Sequence, residues 1–371
     1  MKNWTWVWGV LLVVIVVVGL SLISTNKSVD KEPIKIGLLA PLTGNGSDIG
    51  INNKKAFEVA VAEVNAQGGV NGRPFQVVVE DSQGCDPKVG ATAMQKLVNI
   101  DKVTAVYSIA SGVAMSSHPI AEQGKVVHFS CASNPTVTTL GDYMFRTTPS
   151  DSFAGQVAAD YIFNQMKIKK VAVLNCDNDW CVGLKNAFKE RFVQQGGSVV
   201  IEEQIKSGAK DIRTELAKIK TVNPELIYFP SYPIEALTGF RQAKELGINV
   251  PIFGGDVWLD EVLANNIAGI GGDKFFTTPA KNYSEAFKQK IGGSVSLCAP
   301  DAYDIPMIWA KVLKKTGTDP ESFKNALYKM APYQGESGVI SFDANGDLKQ
   351  AVFDIKSFAD GAIKDYQLKV S

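Results

Sequence analysis

The stretch Ile34-Lys35-Ile36-Gly37-Leu38-Leu39-Ala40, followed by Pro41-Leu42-Thr43-Gly44-Asn45-Gly46-Ser47-Asp48-Ile49-Gly50, decides the fold class. An apolar run cut off by a glycine-rich segment reads as a strand ending in a loop. Behind the loop, Ala56, Val59, Ala60 and Val64 fall on one stripe, at the spacing of a helix face packed on a sheet. That helix stops at Asn65-Ala66-Gln67-Gly68-Gly69-Val70-Asn71-Gly72-Arg73-Pro74, where glycines and a proline supply turn geometry that a helix cannot continue. A second strand follows over residues 75–80, then a loop to Pro87. Such a unit places its loops at the carboxyl ends of parallel strands, where open α/β sheets bind small ligands, so function is expected in those loops.

The pattern recurs downstream: a strand over 103–108, a helix over 114–123, a strand over 126–130 and the loop Cys131-Ala132-Ser133-Asn134-Pro135. A second series begins after Arg146, with strands at 171–174, 198–201, 226–229, 251–253 and 274–277. Helices over 154–166, 183–195, 212–221, 234–246 and 259–265 connect them. Short apolar runs alternating with amphipathic helices argue for βαβ crossovers and parallel-rich sheets, giving an α/β chain of two Rossmann-like lobes. After Pro279 the pattern turns helical, over 283–291, 302–314 and 320–330. A strand pair, 338–342 and 351–358, is then expected around Asp343-Ala344-Asn345-Gly346-Asp347. This acidic loop imitates a calcium loop, but Leu348 stands where the sixth-position glycine belongs and a strand follows instead of a helix. It reads as a hairpin turn built on Asn-Gly.

The 371 residues exceed one compact core and fit about two domains. Lys plus Arg and Asp plus Glu both number 38, which provides no basic footprint for nucleic acid and no field for polyanion capture. Residues 6–23 are almost wholly apolar and uncharged, between Lys2 and Lys27, long enough to cross a bilayer. The run ends in Gly19-Leu20-Ser21-Leu22-Ile23-Ser24-Thr25 without an Ala-x-Ala site, and no cysteine lies near for acylation. An uncleaved membrane anchor is expected over residues 1–32, including its linker, with a cleaved signal peptide as the competing reading. Either places the remainder outside the cytoplasm. Five cysteines leave at least one unpaired within the chain, and Cys176 and Cys181 are close enough for a local disulfide. With only His118 and His128 as histidines, no metal-ligand cluster emerges, and no cofactor is expected.

The run 34–44, the stop 65–72 and the loop Glu80-Asp81-Ser82-Gln83-Gly84-Cys85-Asp86-Pro87 resemble the branched-chain amino-acid-binding (Leu/Ile/Val-type) proteins of the type I periplasmic-binding-protein superfamily. Phe145-Arg146-Thr147-Thr148-Pro149-Ser150-Asp151, Gly183-Leu184-Lys185-Asn186-Ala187-Phe188 and Gly346-Asp347-Leu348 follow in the same order. The resemblance spans residue 34 to about 366. It implies three crossings between lobes: lobe 1 from 33–150 plus 280–345, lobe 2 from 151–279 plus 346–371. It also implies an extracytoplasmic solute-binding component of an ABC importer, with an amino acid as ligand and permease subunits as partners.

In that family a free amino acid lies in the interlobe cleft, its carboxylate on hydroxyls and backbone N–H groups and its ammonium on an acid. A zwitterion leaving water needs such charge-assisted hydrogen bonds. The resemblance assigns Ser111, the backbone of Cys131, and Ser133 on the first lobe, with Tyr232, Asp256 and Trp180 on the second. A one-residue register shift would substitute Ala132 and Asn134 for Ser133. The bland alternatives are turn or N-cap roles for the serines, a cap on the helix at Leu259 for Asp256, and a surface position braced by the Cys176/Cys181 loop for Trp180. Ile49 stands where relatives carry an aromatic ring, and Ala110 replaces a cysteine that in relatives pairs with the equivalent of Cys85. Cys85 with Cys131 is a conceivable pair. Trp258 and Tyr303 either line the pocket or pack.

No Gly-x-Ser-x-Gly elbow, P-loop, Gly-x-Gly-x-x-Gly helix start or histidine placed as a general base is present, so the chain does not read as an enzyme. The competing functional readings are a ligand-sensing receptor domain and an amide- or urea-binding protein. Aliphatic amino acids lead as ligands.

Overall fold

The computed structural model describes residues 32–280 and 283–366. The apolar segment at 6–23 lies outside them, and among the described residues no helix is long and apolar enough to cross a membrane.

Two sheets organise the chain. The first has the order β2-β1-β3-β4-β5, from β1 (Ile34–Ala40), β2 (Phe75–Asp81), β3 (Ala105–Ile109), β4 (Val127–Cys131) and β5 (Met144–Arg146). All its pairs are parallel, with Ile36 opposite both Val77 and Ala105. Helices α1 (Ser47–Ala66), α2 (Pro87–Lys96) and α3 (Ser111–Gln123) make its crossovers. The second sheet contains β6 (Lys170–Cys176), β7 (Ser198–Ile205), β8 (Leu226–Tyr228), β9 (Ile252–Gly254) and β10 (Lys274–Pro279), extended by β13 (Phe353–Ala359) and β14 (Ala362–Asp365). Its order is β14-β13-β10-β9-β8-β6-β7, with only β13 and β14 antiparallel. Its helices are α4 (Asp151–Asp160), α5 (Asp179–Gln194), α6 (Arg213–Thr221), α7 (Pro233–Glu245) and α8 (Glu261–Asn266). The chain then returns through α9 (Glu285–Lys290), α10 (Ala299–Thr316) and α11 (Pro320–Tyr328) before a small hairpin of β11 (Tyr333–Gly335) and β12 (Gly338–Ile340).

The stripe on α1 is buried as its spacing required, with Ala56, Ala60 and Val64 inside and Val59 packed against the same core. Burying such side chains contributes roughly 1.5 to 3 kcal/mol each for the larger ones. Gly50 lets the first turn of this helix meet the loop before it, because a Cβ there would lie 1.9 Å from the Pro41 carbonyl oxygen. Helix α2 was not read from the sequence, although its start is marked: Pro87 sits in the first turn and the Asp86 side chain accepts from the amides of Lys88 and Val89. The three-residue β5 is too short to carry a pattern.

The carboxyl-terminal strands correct the sequence reading. The segment expected to pair with 338–342 instead runs antiparallel to β10, with Thr277 opposite Ile355. Phe358 there meets Phe276 at 5.1 Å between ring centres, an apolar partner far away in sequence that local turn chemistry cannot reveal. The 343–347 loop is a tight reversal in which the Asp343 carboxylate accepts from the amides of Asn345 and Asp347. It docks on β5, where the Arg146 amide donates to the Gly346 carbonyl at 2.9 Å.

The cysteines differ as well. Cys176 and Cys181 are bonded, but Cys131 pairs with Cys298, not with Cys85, which is a free thiol. The partner of Cys131 lies 167 residues away, beyond the reach of spacing arguments.

Candidate functional site

The loops at the carboxyl ends of β1, β3 and β4 face those of β6, β8 and β9 across the gap between the sheets, and a narrow cavity of about 40 Å3 lies between them. Ser111, Cys131, Ser133, Trp180, Tyr232 and Asp256 all line it, and so does Ile49. All seven are buried, the most exposed at 8%. The topology explains the convergence: each residue sits at or just beyond a parallel strand's carboxyl end, where the next helix begins.

Ser111 opens α3 behind Ala110, which adopts φ 83°. A positive φ at a non-glycine residue is strained, and such strain is kept where the surroundings over-determine it. Ala110→Gly should therefore raise stability by about 1 kcal/mol, measured by urea unfolding. The Ser111 hydroxyl oxygen accepts from the Asn134 amide at 3.2 Å, which leaves its O–H to donate into the cavity. Ser133 is held by its carbonyl, which accepts from the Asp151 amide at 2.7 Å. Behind this loop the buried Arg146 guanidinium donates to the carbonyls of Ala132 and Asn134 and pairs with Asp347 at 2.5 Å.

On the second lobe, Trp180 lies in the first turn of α5 and meets Tyr232 edge-on, with ring centres 5.4 Å apart. Asp256 begins the single turn Asp256–Trp258 after β9. Gly255 beside it permits this approach, since a Cβ there would lie 2.6 Å from Leu184 and 3.0 Å from Trp180. Asn134 bridges the lobes, its amide nitrogen donating to the Asp179 carbonyl at 2.7 Å.

Asp151, which closes the Arg146-to-Asp151 motif, is not among the residues that the resemblance assigns to the site. It is buried one layer behind the lining. Burial pushes its carboxyl well above the usual range, the neighbouring Asp256 charge adds to this, and hydrogen bonds from Ser133 and Trp180 offset part of it. The Asp256 carboxylate lines one side of the cavity and the Ser111, Ser133 and Thr148 hydroxyls the other. Thr148, Val257 and Leu297 complete features that the sequence did not flag.

Trp258 and Tyr303, for which lining and packing were both open, are not among the lining residues. Trp258 is fully buried, donates its indole N–H to the Ser231 carbonyl at 2.8 Å and packs on Phe240. Tyr303 donates its hydroxyl to Glu63 at 2.7 Å and packs edge-on against Phe287. Both belong to the core and its margin, where large rings fill space that the strand-end loops leave open. Cys85 does line the cavity; burial pushes its thiol up to about 12, with Tyr232 as a hydrogen-bond partner. His118 and His128 form a buried pair at 3.3 Å between Nδ1 atoms, and among the described residues no group of three side chains is arranged to hold a metal.

Comparison with known proteins agrees with this architecture. The periplasmic binding protein family profile matches residues 33–356. A Leu/Ile/Val-binding protein homolog of Brucella melitensis is 30% identical over 346 residues, covering 89% of this chain and 92% of the relative. The leucine-, isoleucine-, valine-, threonine-, and alanine-binding protein of Pseudomonas aeruginosa is 28% identical over 88% of this chain and 90% of its own length. Among solved structures, the leucine-binding protein LivK of Thermotoga maritima superposes with a TM-score of 0.82 at 25% identity, covering 90% of this chain and 98% of that one. LivJ of Streptococcus pneumoniae, solved in complex with isoleucine, gives 0.79 at 27% identity with the same coverage. The chain belongs to the periplasmic binding protein family, and its Leu/Ile/Val-binding relatives share that membership over most of their length.

Proposed function

We propose that this protein is the extracytoplasmic solute-binding component of an ABC importer, capturing a neutral aliphatic amino acid between its lobes and delivering it to a permease. The observation that carries the reading is the division of the cavity lining: hydroxyls of Ser111, Ser133 and Thr148 come from one side and the Asp256 carboxylate from the other. Such an arrangement suits a zwitterion. The hydroxyls and the amides opening α3 receive the carboxylate, while Asp256 receives the ammonium. Ile49, Ile109, Val257 and Leu297 supply apolar lining for an aliphatic side chain.

Calorimetry of the folded domain against the twenty amino acids and simple amides tests the reading. Heat from leucine, isoleucine or valine is expected. Silence from every amino acid with a response to an amide or urea would transfer the site to that ligand class.

A pH dependence follows from Asp151. Its carboxyl is raised chiefly by burial and then by Asp256, so it holds a proton to higher pH than an ordinary aspartate. An ammonium arriving at Asp256 favours the ionised form, so binding releases a proton. Affinity is therefore greatest above the raised pKa and falls as pH drops through it, by up to about tenfold per pH unit. Titrations in two buffers of different ionisation enthalpy would read the released proton, and Asp151→Asn should abolish that difference.

A further inference from the structure

A second cavity, of about 460 Å3, lies beside the first and is lined from both lobes, by Leu259, Tyr283, Val295 and the β13–β14 hairpin among others. It is an order of magnitude roomier than the 40 Å3 site, and Leu297 lines both. From the opposing lobe Val257 lines the first cavity and Leu259 the second. Apolar residues therefore stand where the two spaces adjoin, Leu297 from one lobe and the 257–259 turn from the other.

Leu297 is held there from several directions. Its carbonyl accepts from the buried Asn53 side chain at 2.8 Å. Asn52 accepts from the Ser296 amide at 3.0 Å and donates to the Ser294 carbonyl at 2.9 Å. Tyr107 fixes Asn53 in turn, donating to its side-chain oxygen at 3.1 Å. On the other side, the disulfide from Cys298 to Cys131 ties the same segment to the floor of the first cavity. A short segment stapled to α1 by two asparagines and to β4 by a covalent bond cannot swing aside for a long ligand as a free loop would.

We propose that Leu297 determines specificity as the wall that limits the length of the ligand's side chain, closing the amino-acid site off from the larger cavity. The inference rests on the amino-acid reading above. Its consequence is a ceiling: branched and short side chains end at the wall, and unbranched chains that extend past it are rejected for want of space.

The test is calorimetry with straight-chain 2-amino acids, from 2-aminobutyrate to 2-aminooctanoate, on the wild type and on Leu297→Ala, with thermal melting as a folding check. In the wild type, affinity should rise with chain length and then collapse. In Leu297→Ala the collapse should move to longer chains, with 2-aminooctanoate gaining roughly tenfold or more, the return from burying about two further methylenes. 2-Aminobutyrate, whose side chain stops short of the wall, is the internal reference, so the gain is read within each variant as the ratio of 2-aminooctanoate to 2-aminobutyrate affinity. Leu297→Val, the milder change, should give an intermediate shift should the alanine variant melt early. A uniform loss across the series, or an unchanged cut-off in a folded variant, would overturn the proposal. If the wild type binds no member of the series, the amino-acid reading itself fails. The wall is then judged from Leu297→Ala crystals soaked in 1-octanol: density running past position 297 from one cavity into the other supports it, and density confined to either cavity refutes it.

Discussion

Asp256→Asn should weaken amino-acid binding by roughly 30-fold or more, equivalent to about 2 to 5 kcal/mol for removing one member of a buried charged pair. Asp256 lines the cavity and is 5% exposed, so an ammonium beside it has lost most of its water and needs a formal anion to offset that loss. The amide keeps the shape and one acceptor, but supplies no charge. Tyr232→Phe, which removes only a neutral hydroxyl, should cost less, about 0.5 to 1.5 kcal/mol. Calorimetry on both variants with leucine ranks the two effects. A variant binding leucine as tightly as its parent, with an unchanged melting temperature, would remove Asp256 from the site.

Arg146→Met is expected to reduce stability by about 3 to 5 kcal/mol, the range for breaking a buried ion pair from one side. The guanidinium is fully buried, while Asp347 is 24% exposed. The two ends of the pair are therefore unequal. Losing the arginine strands the carbonyls of Ala132 and Asn134 and unbraces the loop that carries Ser133. Asp347→Asn keeps an acceptor but leaves the buried guanidinium without its formal anion, and should cost about 2 to 3 kcal/mol, less than Arg146→Met because the contacts to the Ala132 and Asn134 carbonyls remain. Urea unfolding followed by tryptophan fluorescence separates the two. Equal losses in both variants would mean that the carbonyl contacts of Arg146 contribute little.

The pairing of Arg146 with Asp347 also shows where the sequence stopped being legible. The motifs holding both residues, 145–151 and 346–348, were recognisable as separate stretches, but nothing in either indicates that they meet 201 residues apart. The same is true of Cys131 and Cys298, and of Leu297, an unremarkable leucine in a loop until two cavities are found on either side of it. Trp258 and Tyr303 were open between lining and packing, and only the rings they meet, Phe240 and Phe287, show the packing.

What the sequence determined by itself was whatever depends on periodicity and local backbone chemistry. The strand at 34–40, the stripe on the helix behind it, the alternation of further strands and helices and the position of the cavity-lining loops at strand ends all follow from apolar spacing and glycine-proline punctuation. The tertiary structure alone decided the strand partners of residues 353–365 within the lobe that the resemblance implied, the choice of Cys298 for Cys131, the burial of Asp151 beside Asp256, and the partition at Leu297. Each of these is a contact between segments distant in the chain, fixed by which apolar surfaces can be buried together once the sheets have formed. No local pattern encodes such a choice, because its free energy resides in the pair and not in either partner.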